Sequence, residues 1–308
     1  MNEGRRGVER FDVLIVGGGP AGLGAALILG RCRRNVLVCD AGTPRNAPAR
    51  GIHGLLGHDG LPPAELLRRG REEARRYGVT IRDVEVRDVR RSGHGFEADL
   101  ADGGRVEARK VVLATGMRDV LPSIEGILTY YGRGVYHCPI CDGWECRDQP
   151  MGVLGPARRA TRAALSLLRW SDDVFVFTHG LSAFTDDERR MLENHRIGLR
   201  EAPILRLEGE GEDLARVVLS DGEVVPRRAI FLKTGEVPRS DLPTKLGCKI
   251  NGDGTTEAEF HGSTESEGVF VVGDASPRVQ LVSVAQAEGA AAAVRINAIL
   301  QEEDLSLR

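Results

Sequence analysis

Several things are scarce in this 308-residue sequence, and each scarcity excludes a class of protein. No stretch reaches the ~18 uninterrupted apolar residues of a membrane helix, so no membrane span is expected. There are only six cysteines, too few for a disulfide scaffold. An excess of charge is missing too. Lys+Arg is 42 and Asp+Glu is 45, a net charge of −3. That balance provides no basic footprint for nucleic acid and no acidic solvating tail. Lysine is nearly absent: Lys110, Lys233, Lys245 and Lys249 stand among arginines, a bias we assign to coding rather than chemistry. No low-complexity region or linker is visible. What is present looks ordinary for a folded chain, with 41% hydrophobic and 28% charged residues. Disorder as the main state is excluded. The length suggests about two domains and suffices for a sizeable core. The 39 glycines follow no period, so they belong in turns or phosphate loops.

Arg5-Arg6 ahead of the apolar stretch 13–29 could pass for a secretory signal. Glu9, Asp12 and Pro20 interrupt that pattern, and no small-residue cleavage site follows, so the expected location is the cytoplasm. The stretch reads better as structure. An apolar strand over 11–16 meets Gly17-Gly18-Gly19-Pro20-Ala21-Gly22, then a helix over 23–32 and a strand over 35–39 ending at Asp40. A Pro- and Gly-rich loop follows over 41–63, then a charged helix over 64–77 and a buried strand over 110–114 closed by Thr115-Gly116. The pattern then restarts: strand 151–154, helix 157–170, strand 173–178, helix 185–194 and strand 229–233. A last strand over 269–272 runs into Gly273-Asp274, ahead of an Ala-rich helix from about 283. Two nucleotide-type βαβ units are expected, an approximate duplication rather than a short repeat.

Gly17-x-Gly19-x-x-Gly22 lies between a strand and a helix, and Asp40 ends the next strand. The first Gly makes the tight turn. The second lets backbone approach a pyrophosphate. The third lets helix pack on strand, and the acid accepts from ribose hydroxyls. The helix N-terminus supplies a positive dipole end for phosphate, and Pro20 and Ala21 complete the turn. This region resembles the FAD-binding half of two-dinucleotide flavoproteins. Ala114-Thr115-Gly116 looks like that family's ATG segment. Gly268 to Asp274 looks like its second FAD fingerprint, in which Gly273 and Asp274 would hold the ribityl chain. Gln280 falls near its RQA triplet, with Val279 replacing the Arg.

Cys138-Pro139-Ile140-Cys141 is followed by Asp142-Gly143. Two cysteines at this spacing can close a small redox disulfide, and a nearby acid can move the proton that thiol exchange needs. Two other readings stay open. His137, Cys138, Cys141 and Cys146 are clustered enough to hold zinc, although the flavin context favours no metal. The cysteines could also simply be buried, although Pro139, Asp142 and Gly143 mark a turn. Cys32, Cys39 and Cys248 read as packing residues.

With the FAD motifs, the pair resembles low-molecular-weight thioredoxin reductases over about residues 11 to 300. The resemblance implies an α/β fold of two Rossmann-like, three-layer domains, the second inserted into the first. Residues 1–117 and 245–308 would form the FAD domain, and 118–244 the nicotinamide-type domain carrying the cysteines. It further implies bound FAD, a Cys138–Cys141 disulfide with Cys141 nearer the flavin, and Asp142 as general acid/base. A homodimer and a thioredoxin-like partner, or a small dithiol/disulfide, are implied as well.

The second unit departs from the family. In Gly155-Pro156-Ala157-Arg158-Arg159-Ala160, the position that lets pyrophosphate approach is Ala157. The family's basic stretch for the NADPH 2′-phosphate is replaced by residues 178–183, Thr178-His179-Gly180-Leu181-Ser182-Ala183, without an Arg. NADPH is therefore not expected to bind in the usual way, and NADH has no better site. Arg158, Arg159 and Arg162 crowd a helix start, where cations are unfavourable. They read either as a solvated face or as a site for an anion or an acidic carrier such as ferredoxin. Loop 41–60 differs from the usual reductase loop, carrying Arg45, Asn46, His53, His58 and Asp59, and receives no role. The function expected is an FAD-dependent dithiol–disulfide oxidoreductase. The alternatives are a dithiol oxidase passing electrons to oxygen, a ferredoxin-driven thioredoxin reductase, and a non-catalytic flavin redox sensor.

Overall fold

The computed structural model describes residues 8–181 and 183–306; Arg5-Arg6 and Ser182 lie outside the described residues. Its first sheet has seven strands. Thr80–Arg82, Val36–Cys39, Glu9–Val16 and Arg105–Leu113 run parallel in that order. The C-terminal end of Arg105–Leu113 pairs in parallel with Val269–Val271, while its N-terminal half pairs antiparallel with Gly95–Leu100, which in turn pairs antiparallel with the edge strand Val86–Ser92. Side chains alternate between faces along a strand. Leu14, Val16, Leu37, Val111 and Leu113 therefore enter one core, and Val13, Ile15, Val36, Val38 and Val112 the other.

The second sheet is wholly parallel, in the order Gly198–Arg200, Val174–Phe177, Met151–Leu154, Ala229–Leu232, Val135–Tyr136. Its central strands are buried throughout, as fits a parallel sheet covered on both faces. The chain passes from the first sheet to the second through Met117–Asp119 and returns through Glu236–Pro238. These two short strands pair antiparallel, with Asp119 opposite Glu236.

Most expected elements form, with shifted ends. The first helix is Pro20–Arg31, starting at Pro20 because proline's fixed φ and missing N–H suit a first helical position. The helix expected over 157–170 stops at Leu167. The helix Asp186–Asn194 opens on a capping box: Thr185 accepts from the Glu188 N–H, and Glu188 accepts from the Thr185 N–H. The last helix is Val282–Ser306. It lies against the first helix at two glycines: a Cβ on Gly289 would stand 2.0 Å from the Ala21 carbonyl oxygen, and one on Gly24 2.8 Å from that of Gln286. The sequence reading assigned nothing to the three-stranded sheet Ile204–Glu210, Asp213–Leu219, Val224–Pro226, whose short strands have one wet face. Cys32 is corrected: it caps the first helix and is exposed, whereas Cys39 and Cys248 are buried.

Candidate active site

A cavity of about 420 Å³ opens where the first sheet's strands end, a size within the range of ligand clefts. The first glycine turn forms one wall. Gly17 has φ +105°, and a Cβ there would meet the Ala114 carbonyl oxygen at 2.3 Å. A Cβ on Gly22 would meet the Gly17 carbonyl oxygen at 1.9 Å, so Gly22 serves packing and is not on the cavity wall. A Cβ on Gly19 would meet nothing within 4 Å. It would stand in the cavity, beside Pro20 and Ala21, at the helix N-terminus. Asp40 lies against the turn, within 2.5 Å of where a Cβ on Gly18 would be. It accepts hydrogen bonds from the Gly42 N–H and from Arg71 Nη1.

Ala114, Thr115 and Gly116 (φ +68°) form the adjoining wall, with Gly273 and Asp274 following the neighbouring parallel strand. The Gly273 N–H donates to Glu288 at 2.7 Å, and Ser276 Oγ donates to the same carboxylate at 2.9 Å. Glu288 thus anchors the Gly-Asp turn to the last helix. Burial pushes its carboxyl up, against those two bonds. The open backbone at Gly19, the carboxylate beside it and the second turn lining the same cavity suit a dinucleotide such as FAD. When bound, FAD supplies two-electron exchange with thiols.

Arg45, to which no role was assigned from the sequence, lines this cavity. It donates to Asp119 at 2.5 and 3.0 Å, to Glu236 at 2.5 Å, to Asp274 at 3.0 Å and to Gln280 Oε1 at 2.7 Å. Gln280 in turn donates to Glu236 at 2.7 Å, and Tyr131 donates to Asp119. Burial works against the guanidinium's charge, but the Asp119 bonds and the fields of Glu236 and Asp274 outweigh it. Asp119 is likewise held low by Arg45 despite its own burial. The cluster joins the 41–60 loop, both crossing strands and the Gly-Asp turn.

Cys138 and Cys141 are joined in a disulfide, with Cα atoms 5.3 Å apart. This leaves neither as a thiolate for zinc, and no metal-holding group of His, Cys, Asp and Glu occurs among the described residues. Cys138 caps the short helix Pro139–Asp142, its Sγ accepting from the Cys141 N–H at 3.2 Å. Cys141 and Asp142 line the cavity, as does His137, while Cys138 does not. Gly143 is required by packing: a Cβ there would lie 2.5 Å from the Pro139 carbonyl oxygen and 2.9 Å from the Trp170 ring. Burial raises Asp142 to about 7, with His53 opposing and Glu145 adding to the shift. A carboxyl titrating there can both give and take a proton near neutral pH. Cys146 is buried beside Tyr136, and its thiol is pushed up to about 11 by that burial, so it is inert as a thiolate near neutrality.

The second turn is built differently. Gly155 packs like Gly17: a Cβ there would meet the Lys233 Cβ at 2.7 Å. Ala157 is buried at the helix start and Ala160 is fully buried. At the next strand's end Thr178 Oγ1 donates to the Glu201 carbonyl, and His179 (φ +47°) accepts the Ile204 N–H at 2.9 Å. This segment closes on its own fold instead of presenting cations. Arg158, Arg159 and Arg162 are exposed and unpaired among the described residues.

Three of these residues were beyond sequence reasoning. Arg45, His53 and Glu288 carry no motif; only the density of polar residues in loop 41–60, and an acid within an Ala-rich helix, could have drawn attention to them. Comparison with known proteins gives the chain its family. The family model for pyridine nucleotide-disulphide oxidoreductases matches residues 11–289. A probable thioredoxin reductase of Arthroderma benhamiae is 35% identical over 301 residues, covering 87% of this chain and 74% of that protein. The crystal structure of HlmI is 41% identical with a TM-score of 0.91, covering 98% of this chain and 95% of that one. A putative thioredoxin reductase TrxB of Bacillus anthracis is 30% identical with a TM-score of 0.90, covering 96% and 99%. The chain therefore belongs to the pyridine nucleotide-disulphide oxidoreductases, as a flavoprotein disulfide oxidoreductase of the thioredoxin reductase kind.

Proposed function

We propose that this enzyme exchanges electrons between FAD, the Cys138–Cys141 disulfide and a dithiol or disulfide substrate, without using NADPH in the usual way. One observation carries the reading: Cys141 and Asp142 share a cavity with both flavin-type turns, while the second glycine turn carries a buried Ala157 where a pyrophosphate would approach. Gly17, Gly19 and Asp40 would hold one half of the FAD, and Gly116, Gly273 and Asp274 the other. Cys138 and Cys141 would exchange with the substrate, and Asp142 would carry the proton. We take 1–117 with 245–308, and 118–244, as the two working units; the paired crossing strands support that division. The substrate class is a thioredoxin-like protein, as the relatives' names suggest, or a small dithiol.

A second reading has its own support. A dithiol oxidase needs no nicotinamide, which suits Ala157 and the His179 turn. One anaerobic experiment tests both. The FAD-loaded protein receives NADPH, NADH or reduced thioredoxin in separate cuvettes, and the oxidised-flavin absorbance is followed. Bleaching by dithiol and by neither nicotinamide is expected. Fast bleaching by NADPH would overturn the reading of the second turn. After dithiol bleaching, recovery of the band on admitting air, with disulfide accumulating, would point to the oxidase. Replacing both Cys138 and Cys141 by Ser should abolish exchange and leave FAD bound.

A further inference from the structure

Loop 41–60 brings one more group to the disulfide. Ile52 and Leu61 form an isolated bridge, the Ile52 N–H donating to the Leu61 carbonyl at 2.9 Å and the Gly60 N–H to the Ile52 carbonyl at 2.7 Å. Asp59 closes the turn by accepting the Gly54 N–H at 2.8 Å. His53 thereby lines the same cavity as Cys141 and Asp142. Its Nδ1 lies 3.4 Å from Glu145 Oε1 and 3.9 Å from Asp59 Oδ1. That nitrogen is enclosed and has no hydrogen-bond partner. A turn this well tied has placed a ring nitrogen beside the disulfide helix without using it for structure.

We propose that His53 is a positioning residue for disulfide exchange: from loop 41–60 it sets how tightly Asp142 holds the proton that the exchange moves. The inference rests on the function proposed above. In each exchange a substrate sulfur bonds to one cysteine sulfur as the Cys138–Cys141 bond breaks. The electron pair of the broken bond stays on the other cysteine sulfur. The proton lost by the substrate thiol reaches that sulfur through Asp142. The second substrate thiol repeats the step on the mixed disulfide. The dithiol is then a disulfide, the enzyme pair is two thiols, and no further oxidant or reductant is used. Asp142 shares the cavity lining with His53 and Tyr136, and the charges that act on it are those of His53 and of Glu145 from its own segment, with Tyr136 and Cys146 also coupled to it. Of these His53 is the group that can be positive. Its charge opposes burial and Glu145, which act to keep the carboxyl protonated.

The test uses FAD-loaded enzyme and dithiothreitol as the probe dithiol, with anaerobic exchange rates followed over roughly pH 5 to 9, the span in which His and a raised carboxyl titrate. Asp142→Asn first identifies the rising or falling limb that belongs to Asp142. In His53→Gln that limb should move to higher pH, by about one unit, because the opposing positive charge is gone. Glu145→Gln should move it to lower pH, and His53→Lys should bring it back toward the parent position. The flavin spectrum of each variant serves as the folding control. A limb unmoved in His53→Gln, with the spectrum intact, overturns the proposal. So does a limb that persists in Asp142→Asn and disappears in His53→Gln, since His53 would then be the titrating group itself. Full exchange in the double Cys→Ser variant would instead sink the underlying function, which keeps the two failures apart.

Discussion

The two strand–turn–helix units follow one plan and part at the middle position of the turn. Their first positions are alike: a Cβ on Gly17 would strike Ala114 and one on Gly155 would strike Lys233, each belonging to the end of a neighbouring strand. Both turns keep what the fold needs there. At the middle position Gly19 faces open cavity, whereas Ala157 has a side chain and is buried. The third positions differ again. Gly22 cannot carry a Cβ, yet Ala160 carries one within the core. The packing requirement at the first position thus persists in both units, while only the first unit keeps a side-chain-free middle position.

The comparison can be broken most forcefully at its third position. Gly22→Val should yield protein that does not retain flavin, because its Cβ would overlap the Gly17 carbonyl; the mirror change Ala160→Gly should leave the yellow colour and cost about 1 kcal/mol or less. Flavin absorbance after gel filtration reads both. Equal losses would mean that the third positions are equivalent after all.

The next effect lies at the junction of the units. Arg45→Met removes the cation facing Asp119, Glu236 and Asp274, and should destabilise by about 3–5 kcal/mol, as for a broken buried pair. Asp119 is held below its ordinary 3.8 in the fold, so its contribution is present above that value and lost as pH falls through the folded value. The gap in melting temperature between parent and Arg45→Met should therefore be full at neutral pH and shrink in acid. A gap constant down to strongly acid pH would show that packing, not charge, was lost.

A smaller effect is expected from repairing the second turn. Ala157→Gly should raise the rate of flavin reduction by NADPH by less than about tenfold, a difference worth about 1.4 kcal/mol. The His179 turn still offers no cation to a 2′-phosphate. Reduction at the rate seen with dithiols would show that the Ala157 Cβ alone had closed the site. The smallest effect should come from Arg158→Glu, Arg159→Glu and Arg162→Glu together. Flavin content should be unchanged and the melting temperature slightly raised, since acids suit a helix N-terminus. If reduction by an acidic carrier protein fell in this variant, the three arginines would form an anion site rather than a solvated face.

How far the sequence speaks depends on the distance over which a residue does its work. The glycine turn at 17–22, Asp40, the cysteine pair with Asp142, and the Gly273-Asp274 turn could all be read directly. Each is a local backbone or covalent requirement, spelled out within a few residues. The antiparallel strands over 204–226 escaped because short, half-wet strands leave little periodic signal. Arg45 escaped for a different reason: its partners lie 74, 191, 229 and 235 residues away. Nothing in loop 41–60 says that those carboxylates converge on it.

A doubled α/β chain, a full glycine turn at 17–22, a second turn with Ala157 at its middle position and a redox-type cysteine pair with an acid beside it were all legible in the residue order. Steric demands on glycine and the geometry of a two-residue cysteine spacing act at short range and leave their mark in the residue order. Only the tertiary structure decided that the pair and the flavin-type turns share one cavity, that Arg45 binds its walls together, and that His53 stands beside Asp142. Those outcomes rest on charges brought close in a partly dry interior. Around Arg45 the mutual fields outweigh the cost of burial, at Asp142 burial prevails over His53, and in both cases the chain order of the partners is irrelevant.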